Sequence, residues 1–117
     1  MNPEQEFASH VIDLLAPFGP CQARRMFGGH GIFHQGQMFG LIADGSLYLK
    51  ADEQSRALFL DSGSEAFTYQ KKDREFQLSY YLAPEEFFEN GDDTLRWARI
   101  AFDAALRNPT RKRKRKS

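Results

Sequence analysis

Four groups of residues in this 117-residue chain have the types that chemistry uses. They are the run Gly28-Gly29-His30-Gly31 with His34 beyond it, the single thiol of Cys21, the acidic pairs Glu85-Glu86 and Asp92-Asp93, and a run of six cations from Arg111 to Lys116. The glycine run has the composition of a phosphate cradle. A P-loop, however, needs Gly-Lys followed by Ser or Thr and a helix, and a dinucleotide fingerprint needs a third glycine where His34 stands. Neither context is present, so the glycines read as a structural bulge or a place where another backbone comes close. His30 and His34 would share a metal on a helix. On a strand, at about 3.3 Å per residue, they stand ~13 Å apart, beyond the reach of one ion. They read as surface or half-buried imidazoles.

Cys21 has no local partner to activate it and no second cysteine to bridge to, so it reads as an ordinary small buried thiol in a reducing compartment. The acidic pairs fall at helix starts, where carboxylates meet the positive end of the helix dipole. Arg24 and Arg25, adjacent on a strand, face opposite sides. One is expected to reach the covered face of the sheet and pair there with a helix carboxylate. No catalytic residue, cofactor or metal follows from these residues.

The formal net charge of zero hides an asymmetry. Arg111, Lys112, Arg113, Lys114, Arg115 and Lys116 supply six of the sixteen basic residues, leaving the body near −6 and the tail near +6. The tail has three readings: a solvated end, a loose contact with the acidic body, or a nonspecific nucleic-acid contact through phosphates. Its charge and lack of apolar residues predict disorder over 109–117.

The elements that must position these groups follow from periodicity. Asn2-Pro3 starts a helix that carries Phe7, Val11, Leu14 and Leu15 and stops near Ala16. A three-stranded meander follows, with strands at about 23–34, 37–43 and 46–50. It turns at Gln35-Gly36 and at Asp44-Gly45, whose residues tolerate the positive φ of a type I′ turn. Asp52 caps a short helix to about Asp61. Phe67 and Tyr69, then Phe76, Leu78, Tyr80 and Leu82, mark a second hairpin. Tyr80 and Tyr81 point to opposite faces. Asp92 or Asp93 caps a last helix whose buried face holds Leu95, Ala98, Phe102, Ala105 and Leu106, with Trp97 beside it. Phe27, Phe33, Phe39, Phe67, Phe76 and Phe102 are the expected core aromatics. The order gives an α+β two-layer sandwich, an antiparallel sheet with helices on one face, over residues 1–108. No apolar run approaches the ~20 residues that span a bilayer, and the first residues do not form a secretory signal, so no membrane is expected.

Arg25, Met26, Phe27, Gly28 and Gly29, then Gly31 and Phe33, resemble the signature of the TfoX (Sxy) N-terminal domain family. So do Met38-Phe39, Asp44-Gly45 with Leu47 to Leu49, Phe67-Tyr69, Ser79-Tyr80-Tyr81 with Pro84-Glu85-Glu86, and Trp97-Ala98. The resemblance runs from about Glu4 to Leu106. It implies an α-β(3)-α-β(2)-α order similar to that of type III secretion chaperones, and it brings no catalytic residues. The family is named for a bacterial regulator of competence genes, which has a second domain. The chain reads as a standalone N-terminal domain with a basic tail in that domain's place. The expected function is a cytoplasmic, non-enzymatic regulatory or protein-interaction module, linked to transcriptional regulation of competence. By analogy with the chaperones it forms a homodimer through its sheet or a helix. A nucleic-acid-associated regulator anchored by the tail is the alternative. A small ligand carrier or enzyme would need a deep pocket with convergent polar groups.

Overall fold

The computed structural model describes residues 2–26 and 28–108, without the side chains of Gln70, Lys71 and Phe76. The expectations placed on Phe27, on the Phe76 ring and on the tail from 109 to 117 lie outside the described residues. The element order is α1 (Pro3–Leu15), β1 (Gln22–Met26), β2 (Gly29–His34), β3 (Gln37–Ala43), β4 (Ser46–Lys50), α2 (Arg56–Asp61), β5 (Ala66–Lys71), β6 (Arg74–Leu82), a 3-10 turn (Glu85–Phe88) and α3 (Gly91–Arg107). All six strands form one antiparallel sheet in the order β1-β2-β3-β4-β6-β5. The α+β class and the one-sided helical cover are as expected from the sequence.

The expected first strand, 23–34, is two strands. The chain reverses at Gly28, whose φ of +77° suits glycine, and β1 pairs antiparallel with β2. The remaining hairpins turn at Gln35-Gly36, Asp44-Gly45 and Lys72-Asp73, each with two consecutive positive φ values. That is the type I′ geometry whose twist matches paired strands. The glycine cluster is not the bulge. The register shift lies opposite, where Ile32 pairs with Gly40 but Phe33 pairs with Met38, leaving Phe39 as the extra residue. The bulge turns Phe39 inwards, and its ring is fully buried. Gly29 serves close approach: a Cβ there would lie 2.0 Å from the Ile42 carbonyl oxygen.

One cluster joins every helix to a single face of the sheet. Val11 and Leu15 of α1, Phe59 of α2, Phe87 of the 3-10 turn and Trp97, Ala98 and Phe102 of α3 pack on Ile32, Phe39, Ile42, Leu47, Leu49 and Tyr81. Asn2 caps α1 in a reciprocal box with Gln5. Asn90, rather than Asp92 or Asp93, caps α3, accepting from the Asp93 amide. With that start, the buried stripe of α3 is Thr94, Trp97, Ala98, Ala101, Phe102 and Ala105, while Leu95 and Leu106 are exposed. Thr94 donates to the Phe87 carbonyl, and the Trp97 indole donates to Glu86 Oε2 at 2.6 Å, tying the 3-10 turn to α3.

Asp52 does not cap α2, which begins after Ser55. Its carboxylate instead accepts from the amides of Gln54 and Ser55 and from the Arg107 guanidinium at 2.5 and 3.0 Å, joining the end of β4 to the last turn of α3. The Arg107 hydrogen bond, helped by the Ser55 amide and opposed by burial, holds its pKa down at about 2.

Two measurements test this frame. Gly29→Ala drives a side chain into backbone that cannot yield and should cost ~2 kcal/mol or more in urea unfolding. Gly28→Asn, with open space around it and a tolerated left-handed conformation, should cost well under half of that. Because the folded-state pKa of Asp52 lies below its ordinary 3.8, its stabilisation is complete above about pH 5 and fades as pH falls through 4 towards 2. The melting temperature of Asp52→Asn should therefore fall below wild type at pH 7, and the gap should close by about pH 2.

Candidate functional site: the open face of the sheet

Alternation along each strand places a second set of side chains on the face away from the helices. Arg24 and Met26 come from β1, Phe33 from β2, Met38 and Leu41 from β3, and Tyr48 and Lys50 from β4. Leu78, Tyr80 and Leu82 come from β6, and Phe67 and Tyr69 from β5. None of them belongs to the helix-side cluster. Phe33, Leu41 and Tyr80 are nevertheless buried. Their cover comes from neighbours on the same face. The Arg24 guanidinium lies 4.5 Å from the centre of the Phe33 ring, and the Lys50 ammonium 5.2 Å from that of Tyr80. The sulfurs of Met26 and Met38 close over Gly31, where a Cβ would meet them at 2.5 and 3.1 Å. The Tyr80 hydroxyl donates to the Met38 carbonyl at 3.4 Å, and burial pushes its pKa up.

The other half of this face is less covered. Tyr48 packs edge-on to Phe67 at 5.0 Å, and Phe67 stacks on Tyr69 at 6.3 Å. Phe67 is half-buried on this open face, not in the core as the sequence reading had it. Tyr69, Leu78 and Leu82 are 41%, 36% and 38% exposed. Tyr81 points the other way and stacks on Phe59, so the two tyrosines divide between faces as expected.

Arg24 and Arg25 are both exposed, and neither makes an ion pair among the described residues. The expected buried bridge to a helix carboxylate does not form, because β1 is an edge strand whose residues from Gln22 to Arg25 are all exposed. His30 and His34 are buried, neither surface nor half-buried groups. His34 sits among Phe18, Phe39 and Phe102, and its Nδ1 is 2.7 Å from the Pro20 carbonyl, so Nδ1 carries the proton and donates. It pins the α1–β1 loop against Gly19, where a Cβ would lie 2.6 Å from the imidazole. His30 Nδ1 is buried with no hydrogen-bond partner among the described residues.

Among the described residues, no three His, Cys, Asp or Glu side chains gather as metal ligands. Two open clefts, of about 400 and 310 Å³, flank the molecule. The larger is lined by Asp52, Glu53, Arg56, Gln77 and Ser79 among others, and its Asp52 is committed to Arg107. The smaller contains His34, committed to Pro20. Half-buried Cys21 donates to the Gly19 carbonyl at 3.4 Å, and burial pushes its thiol up to about 11.

Of the motif residues, Arg25 lies exposed on the edge strand, while Met26 and Tyr80 lie on the open face. Gly28, Asp44 and Gly45 form turns, and Gly29 and Gly31 permit close packing. Tyr81 and Trp97 belong to the core. Arg111 to Lys116 lie outside the described residues. Lys50 and Glu86 were missed as structural partners. The alternation of β4 places Lys50 beside Tyr48 on one face, but its contact with Tyr80 depends on the β4–β6 register, which no local signal sets.

The geometry defines a small α+β scaffold with one covered and one open sheet face. The chain matches the model of the TfoX N-terminal domain over residues 13–105 and belongs to that family. It is 32% identical over 95 residues to Protein Sxy of Escherichia coli K12, covering 81% of this chain and 46% of that protein. It is 36% identical over 84 residues to the DNA transformation protein TfoX1 of Aliivibrio fischeri, covering 72% and 38% respectively. The chain thus spans less than half the length of these curated relatives. No helix among the described residues is long and apolar enough to cross a membrane.

The state of Cys21 is measurable. With a pKa near 11, its thiolate fraction at pH 8 is about one in a thousand. Alkylation by iodoacetamide in the folded chain should be at least ~30-fold slower than that of free glutathione, rising as pH approaches 10. Rapid labelling at pH 8 would reopen a nucleophilic role.

Proposed function

We propose that this chain is a non-enzymatic regulatory module that acts in the cytoplasm by protein contact through the open face of its sheet. The observation that supports this reading most directly is the patch of Tyr48, Phe67, Tyr69, Leu78 and Leu82, contiguous on β4, β6 and β5 and without helical cover. The other large exposed apolar residues, Leu58, Leu60, Phe88, Leu95 and Leu106, sit on the helical layer and its 3-10 turn. Family membership, together with a relative named as a DNA transformation protein, supports transcriptional control of competence as the setting.

The test is complementation. A strain lacking the chain is supplied with wild type or with Tyr69→Ser/Leu82→Ser, both checked for folding by thermal melting, and its transcripts are compared. The double variant should fail to restore the wild-type pattern. Full restoration would remove the open face from function.

A second reading is favoured by the six cations between Arg111 and Lys116: a nonspecific nucleic-acid anchor. Neutralising six phosphates gives a log-log salt slope of about −5. Gel shifts with and without residues 111–117 decide it, since equal affinity after deletion rules out the anchor.

A further inference from the structure

Charge is sorted between the two layers of this protein. The strands carry Arg24, Arg25, Lys50, Lys71 and Arg74 against one carboxylate, Glu75, while the helices hold nine carboxylates and four arginines. By alternation Glu75 falls on the helix-side face, so the strand residues of the open face carry cations among aromatics and leucines, while Asp44 and Glu65 flank the strands near Tyr48. Arg24 and Lys50 are capped only by rings, and neither has a carboxylate partner among the described residues. Burial lowers the pKa of Lys50, with the Asp52 charge opposing, so this cation is partly stripped of water, and it forms no ion pair among the described residues.

We infer that the open face docks an acidic amphipathic helix of a partner protein. Its apolar side chains seat on Tyr48, Phe67, Tyr69, Leu78 and Leu82, and its carboxylates reach Lys50 and Arg24. This rests on the contact reading above and adds the partner's chemistry. Five strand spacings of about 4.8 Å separate β1 from β5, ~24 Å across the face. That is the length of a helix of about 16 residues. Such a helix supplies the missing layer over a sheet that the chain covers on one side only.

Charge decides against a nucleic acid. A single-stranded nucleic acid needs a continuous track for phosphates, yet Asp44 and Glu65 press on the Tyr48 hydroxyl and raise its pKa after burial. Leu78 and Leu82 offer no stacking surface. Discrete carboxylates on a helix can meet Lys50 and avoid Asp44.

The test is fluorescence anisotropy of the full chain with labelled probes. One is a helical peptide of about 16 residues with Leu and Phe on one face and Glu on its flanks. Others are the same peptide with Lys for Glu, the same with Ser for Leu and Phe, and an oligothymidine of about 20 nucleotides. The acidic peptide should bind at least about tenfold tighter than either peptide control. Lys50→Glu should lower its affinity about tenfold and favour the lysine peptide, and Lys50→Met should remove the charge preference while retaining apolar binding. Deleting residues 111–117 should leave affinity within about threefold. Amide shifts in a 15N-labelled chain should centre on β4, β6 and β5.

Equal binding of acidic and lysine peptides would overturn the inference. So would binding that disappears with the tail, tighter oligothymidine binding that depends on Lys50, or a dimer mass in light scattering that Lys50→Glu converts to monomer. If the peptides fail while Tyr69→Ser/Leu82→Ser still abolishes complementation, the contact reading stands and this partner chemistry falls.

Discussion

A sheet of six strands has two faces, and the helices of this chain cover one. That one-sidedness sets the terms for everything else. On the covered face the usual solution applies: Trp97, Phe59, Phe87 and Phe102 fill the space above Ile32, Ile42 and Leu49. On the open face Phe33, Leu41 and Tyr80 are kept from water without a second layer. Flexible side chains do this, with an arginine and a lysine lying over rings and two methionine sulfurs over a glycine. Long cationic stems bury their methylenes while leaving the charged ends near solvent, so they can shield a face and present charge at the same time. Methionine suits the gap above Gly31 because its thioether adapts to irregular space.

The close packing of β2 on β3 supports both faces. Gly29 lets the backbone of β2 approach the Ile42 carbonyl, and Gly31 leaves the space that the methionines occupy. The bulge at Phe39 puts its ring and the side chain of Ile42 on the helix side despite odd spacing. Without it Phe39 would turn to the open face, and the nest around His34 would lose one of its three rings.

Much of this was legible in the chain because the signals were local. Asn2-Pro3, Asp44-Gly45 and the alternation of Leu78, Tyr80 and Leu82 each act over a few residues. The misreadings share a cause in tertiary context. Gly28 to Gly31 looked like a softened strand because a turn of positive φ and a close-approach glycine have the same one-letter sequence. His30 and His34 look polar alone, yet His34 is buried by aromatics from the turn after α1, from β3 and from α3, gathered from three separate parts of the chain. Asp52 has the sequence of a helix cap, but a guanidinium 55 residues away competes for its carboxylate. Alternation shows that Tyr80 and Tyr81 divide between the faces, while the charge of the open face became visible only once the strands were ordered.

The polar side chains inside the frame serve to join its elements. Glu86 accepts from the Trp97 indole, Asp52 from Arg107, Thr94 bonds two carbonyls, His34 holds Pro20, and Cys21 is kept as a thiol. Each of these is committed to joining elements, and changing its protonation or partner loosens the frame. Arg24 and Lys50 are different, since they lie over rings and form no ion pair among the described residues. A cation on an aromatic face stabilises the monomer modestly, by about 0.5–1 kcal/mol where solvent reaches it. A carboxylate brought to it by a partner that also excludes water gains more than it would at a wet surface, because the screening falls as the face is covered. The same residues that protect the uncovered sheet thus hold the unspent electrostatic energy that a binding partner can use.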